Sequence, residues 1–262
     1  MVSYVVSNFT VDMLEVLFNL LLGLYKFPTH LAADPIKDNQ LGIIFADALI
    51  LPAVFTILVY YVKNYNQWKV SLLFTFLLTA LEIIYLKLGY LHYNHWNTVF
   101  SLLVYIAGFR IIAYFAERIK SYNPPIAYSV RILCFVYTIN MWISAIVGMP
   151  VLELYQYKPG LFNNFMADDR FIELYFGVSI GIICALTFPR VSARLKALIL
   201  LGLTCVGVIF ALFSYYKGWL IYHYWNHSLT LLRYLLPSIF ILLYDRWEKT
   251  YEAYCKSTFA QG

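Results

Sequence analysis

Leu195–Leu220 reads LKALILLGLTCVGVIFALFSYYKGWL, and between Lys196 and Lys217 no charged residue interrupts it. A hydrocarbon core about 30 Å thick needs a run of about this length from a helix that crosses it. The apolar residues do not alternate, so the stretch reads as a helix and not as a barrel strand. Comparable runs bounded by charge, Pro or Gly lie near 11–27, 41–61, 68–90, 98–116, 126–150, 170–189 and 227–245, giving about eight spans. Asp12 and Glu15 interrupt the first of these, and Lys26, Pro28 and His30 close it early. That pattern also suits an amphipathic helix lying at the interface.

Composition supports the same class. The chain is 62% hydrophobic, 19% aromatic and 13% charged, whereas a soluble domain carries about a quarter charged residues. An all-α integral membrane protein is expected, with the lipid bilayer as its partner and no separate soluble domain. The net charge of +5 is scattered over segment ends, which argues for topology and against nucleic acid. Cys134, Cys184, Cys205 and Cys255 show no metal-type or redox spacing, and the first three read as small buried side chains. The N-terminus lacks the basic start and cleavage site of a signal peptide, so the first hydrophobic segment is expected to stay.

The end of the opening stretch begins a second signal. Gly218–Tyr234 reads GWLIYHYWNHSLTLLRY, and Gly89–Tyr105 reads GYLHYNHWNTVFSLLVY. At a constant offset of 129 residues the two share Gly, Leu, Tyr, Trp, Asn, two Leu and a final Tyr. An offset of half the chain points to internal duplication. The segment 117–125, ERIKSYNPP, combines charge with two prolines and reads as the joint. The expected organisation is two fused parallel repeats of three to four helices, 1–120 and 126–262, related by an axis along the membrane normal.

Basic residues set an orientation. Lys63, Lys69, Arg118, Lys120, Arg190, Arg194, Lys196, Arg246, Lys249 and Lys256 fall on the side of both termini. Lys26, Lys37, Lys87, Lys158, Arg170 and Lys217 fall opposite. The positive-inside tendency puts both termini in the cytoplasm and both motifs outside, in a plasma or cytoplasmic membrane.

If the helix persists through the motif, Gly89, Tyr93, Trp96 and Asn97 share one face. The bland reading is an interfacial aromatic belt, with Asn97 and Asn226 as N-caps of the next spans. The sharper reading is a binding site that combines Tyr93, Trp96, Asn97, Tyr222, Trp225 and Asn226 with the membrane charges Asp47, Glu82, Glu173 and Arg233. Such charges are costly in lipid and often functional, although a Glu173–Arg233 ion pair would explain two of them by packing. Arg110 and Arg131 read as residues that snorkel to headgroups. His92/His95 and His223/His227 have helical metal-ligand spacing, but the two pairs do not correspond between the motifs, so no metal or cofactor is expected. Asp168–Asp169 lacks the second acidic cluster of a diphosphate site.

Three function classes follow. The first is a transporter, flippase or receptor-like binder of a small or amphiphilic molecule, through an outward-facing polar and aromatic cavity at the repeat interface. The others are a lipid-modifying enzyme using His and carboxylate, and a ligand-free scaffold. No catalytic motif is present, so a non-enzyme is favoured and no catalytic residue is assigned.

Overall fold

The computed structural model describes residues 2–62, 64–121 and 126–259, with the side chains of 117–121 and 252–259 left out of the description. Eight helical segments among them are long and apolar enough to cross a membrane. The chain is thus an all-helical, multi-pass protein of the membrane-embedded class, and it divides into two compact units, Met1–Ile126 and Ala127–Gly262. The joint expected at 117–125 falls partly outside the described residues.

In the N-terminal unit, α1 (Val2–Glu15) passes into a π-helical turn, Val16–Leu21. Helix α2 (Pro35–Ile44), a second π-helical turn (Phe45–Ile50) and α3 (Leu51–Val62) make one continuous span. Asp34 starts it by accepting from the amides of Ile36 and Lys37, with Pro35 at the first helical position. Asn66 caps α4 (Gln67–Leu88) in the same way, and α5 (Thr98–Ser121) follows. Val2, Leu58, Val70, Leu78, Phe109 and Ala113 form the core where these helices meet.

The C-terminal unit holds α6 (Tyr128–Val147), α7 (Phe165–Thr187), α8 (Ala193–Tyr216) and α9 (His227–Phe259). Asn164 caps α7 and Ser192 caps α8. Gly177 and Gly181 lie one turn apart on α7 against Tyr137, Asn140 and Leu133 of α6. This small-residue spacing lets membrane helices approach closely. Large apolar residues such as Phe76 and Leu77 on α4, and Leu198 and Ile209 on α8, remain exposed. On spanning helices that surface is suited to lipid.

Three expectations are corrected. The first span begins at Val2, not near residue 11, and ends at Leu21. Asp12 and Glu15 do not break it because both are buried inside the unit. Helix does not persist through the motifs: Gly89 takes a left-handed φ of 80° and ends α4, and Gly218 has a φ of 72° just past α8. Such a residue at a helix end is most cheaply a glycine. Arg131 does not snorkel, since it is buried and its Nη2 lies 2.9 Å from Glu248 Oε2. Nearby, Lys196 Nζ lies 2.6 Å from Asp245 Oδ1.

Candidate functional site

Where the motif leaves the helix it becomes a short strand. In the N-terminal unit, β1 (Tyr25–Lys26) pairs antiparallel with β2 (His92–Tyr93), setting Tyr25 opposite Tyr93. Gly23, with φ 57°, turns the chain into β1. Leu24 O accepts from the amides of Asn94 at 2.8 Å and His95 at 3.0 Å. Asp38 holds the following loop by accepting from the amides of Thr29, His30, Leu31 and Ala32. These bonds satisfy backbone groups that helix ends and loops leave open.

This frame directs side chains into the helices. Tyr25 donates to Glu15 Oε2 at 2.6 Å. Tyr93 donates to Glu82 Oε1, and Tyr105 donates to Glu82 Oε2 at 2.5 Å. Trp96 Nε1 donates to Ser101 Oγ at 2.7 Å, and its ring lies 5.8 Å from that of Tyr25. Burial above all, with the neighbouring carboxylate, raises the pKa of Tyr25 and of Tyr93. Both therefore keep their protons and act as donors.

Together these groups line a cavity of about 170 Å³ inside the N-terminal unit. Its wall is mostly aromatic and aliphatic, and carries the carboxyl groups of Glu15, Asp47 and Glu82. No lysine or arginine is among its described lining residues. Asp47 sits in one π-helical turn and Glu15 immediately precedes the other. Such turns widen a helix locally and are frequent at functional sites. A site of this kind can hold a small molecule by apolar contact and orient it through a carboxylate.

Corresponding bonds occur in the C-terminal unit. Glu153 has a φ of 53° and precedes β3 (Tyr155–Tyr157), which pairs with β4 (Leu220–Tyr222) and sets Tyr155 opposite Tyr222. Leu154 O accepts from the amides of His223 and Tyr224. Asp168 accepts from those of Gly160, Leu161 and Phe162. Trp225 Nε1 donates to Thr230 Oγ1 at 3.0 Å, and its ring lies 5.2 Å from that of Tyr155. Here the interior holds an ion pair: Arg233 Nη2 donates to Glu173 Oε2 at 2.7 Å and Arg233 Nε to Tyr155 Oη at 2.9 Å. Tyr155 donates to Glu173 Oε1 at 2.9 Å. Burial first, and the Glu173 charge among lesser effects, raises the Tyr155 pKa despite Arg233.

Of the residues grouped from sequence, Asp47, Glu82, Tyr93 and Trp96 share the cavity. Asn97 is exposed and accepts from the Phe100 amide at 3.0 Å, so it caps α5. Asn226 does the same for α9 through the Leu229 amide. Glu173 and Arg233 are paired in the C-terminal unit, with Tyr155 and Trp225 beside them, and Tyr222 hydrogen-bonds Thr230 at 2.7 Å. His92, His95, His223 and His227 are exposed. His92, His95 and His223 lie in strands and loops, which removes the helical metal-ligand spacing. Among the described residues no cluster of three metal-ligating side chains occurs. Asp168 and Asp169 are spent on backbone amides. Tyr105, Glu15 and Tyr25 are among the wall residues outside the sequence-based grouping. Tyr105 was visible as the last shared residue of the motif, Glu15 read only as an interruption, and Tyr25 carried no signal.

No protein family, curated protein or solved structure matches the chain.

Proposed function

We propose that the protein is a multi-pass membrane protein that binds, and carries across the bilayer, a small or amphiphilic molecule held in the cavity of its N-terminal unit. The observation that carries this reading is the cavity itself. Glu82 is held by Tyr93 and Tyr105 in an otherwise apolar and aromatic wall. Buried ionisable groups that face a space inside a membrane protein commonly mark a substrate path. Its size supports a ligand of modest bulk, since an engineered cavity of about 150 Å³ takes up benzene.

The chain is read as two fused repeats of four spans each. The bonds around Leu24 and Leu154, Asp38 and Asp168, and Trp96 and Trp225 recur at spacings of 129 to 130 residues. Four spans return the chain to the side on which it started, so both repeats run parallel. The excess of basic residues beside the termini supports a cytoplasmic location for both.

The test is to fill the cavity. Gly108 lies in its wall, and a Cβ added there meets nothing within 4 Å. Gly108→Leu is expected to fold, because a helical glycine gains from replacement, and to abolish stabilisation by small amphiphilic solutes in thermal melts of the purified protein. If no solute stabilises the wild type, or if Gly108→Leu responds as the wild type does, the binding reading is wrong and a ligand-free scaffold takes its place.

A further inference from the structure

We infer that the ligand of the N-terminal cavity is an organic cation, a guanidinium or primary ammonium head on a small apolar body. This inference rests on the binding reading above and adds the chemical class. It comes from what the C-terminal unit places in the corresponding position.

The motif alignment sets Val104 against Arg233 and Tyr105 against Tyr234. Strand pairing sets Tyr25 and Tyr93 in one unit against Tyr155 and Tyr222 in the other. Trp96 and Trp225 each pack on the first tyrosine of their own pair. Within this shared frame Arg233 puts its guanidinium against Glu173 and Tyr155, 5.2 Å from the Tyr234 ring. In the N-terminal unit Val104 stops short, and Val104, Tyr25 and Tyr105 all face the cavity. One unit carries its own cation beside these tyrosines, and the other has a cavity beside the matching residues.

The recognition chemistry remains in the open unit, although its carboxylate comes from another helix. Glu82 on α4 is 6% exposed and accepts from two tyrosines. An ionised carboxylate has about four acceptor sites, so a cation can be held without displacing either tyrosine. Tyr25, Trp96 and Tyr105 line the cavity, and aromatic rings attract a positive charge. An anion would meet the Glu82 carboxyl group and no lysine or arginine among the described lining residues. Tyr25 and Tyr93 hydroxyls are committed to Glu15 and Glu82 as donors. The wall therefore selects for positive charge.

The test uses phenylguanidinium, its neutral isostere phenylurea, and benzoate, titrated into the purified full-length protein in lipid nanodiscs. Phenylguanidinium is expected to bind at least about tenfold tighter than phenylurea, as suits a charge-assisted hydrogen bond, with benzoate weakest. Glu82→Gln should remove about tenfold of that affinity. Val104→Arg, which supplies the cation from the chain as Arg233 does, should abolish binding and raise the melting temperature. If Val104→Arg fails to fold, the Glu82→Gln titration decides. Equal binding of phenylurea and phenylguanidinium, or Glu82→Gln binding the cation as the wild type does, overturns the cation class and leaves the cavity reading standing. If none of the three probes binds, both readings fall.

Discussion

Glu82 and Glu173 show two ways of keeping a carboxylate inside a helical bundle. Glu82 is satisfied by neutral tyrosine hydroxyls, and Glu173 by a hydroxyl and a guanidinium. Removing one partner of a buried ion pair strands the other, at about 3 to 5 kcal/mol. Arg233→Met is therefore expected to lower the stability of the C-terminal unit by that amount in chemical denaturation. The double variant Arg233→Met/Glu173→Leu should recover most of the loss, and a strictly additive double variant would show that the pair is not coupled. The tyrosines add a pH dependence. Tyr25 and Tyr155 have raised pKa values, through burial first, whereas in the unfolded chain they ionise near pH 10. Above that pH the unfolded state releases protons that the folded state keeps, so stability falls as pH rises. Melting temperature should drop more steeply above about pH 10 in the wild type than in Tyr25→Phe. The sequence showed the Glu173–Arg233 pair because both charges stand out in apolar runs. It hid Glu15 for a related reason: a carboxylate in a span reads as an interruption until the tyrosine that meets it is located.

Helices and strands were legible to different degrees. The long apolar runs gave the spans because the length of a crossing helix is fixed by the bilayer. They did not give the break at Gly89, where Tyr, His and Trp suit a helix end, a strand or an interfacial loop equally well. The shared Gly89 and Gly218 were the usable signal, since a glycine closing an apolar run is a common helix stop. Pairing of β1 with β2 joins Tyr25 to a residue 68 positions away, and no local pattern reports such a partner. Close packing was equally hidden. A Cβ on Gly42 of α2 would collide with the Phe27 backbone carbonyl and lie 2.5 Å from Phe27 Cβ. Backbone cannot move aside as a flexible side chain can, so Gly42→Ala should destabilise by about 1 to 3 kcal/mol, the usual cost of overpacking. Gly202 on α8, which has open space around an added Cβ, is the control, and Gly202→Ala should be neutral or stabilising. Equal effects at the two sites would show that the Phe27 backbone yields to the added methyl group.

At the scale of the molecule, insertion is decided by charge at segment ends, which the fold of each unit leaves unsettled. Arg190 and Arg194 lie at the ends of α7 and α8, and Arg246 and Lys249 lie near the end of the apolar part of α9, His227–Tyr251, on one side of the C-terminal unit, while Lys158 and Lys217 lie toward the other ends. Lys158 donates its amide to Trp219 O at 2.6 Å, beside the β3–β4 pair, so the strands share the side poorer in basic residues. Basic residues resist translocation and acidic ones count little, so the richer side should stay in the cytoplasm. Within the C-terminal unit, one orientation then sets the side of the C-terminus and the side of the β3–β4 pair together. A reporter fused after Gly262 is expected to read cytoplasmic, and a reporter inserted within 158–168 is expected to read external. Moving positive charge should move the equilibrium: replacing Arg190, Arg194 and Arg246 with Gln while adding lysines within 158–164 should yield a mixed population. An external reporter after Gly262 together with an internal one at 158–168 would invert the assignment.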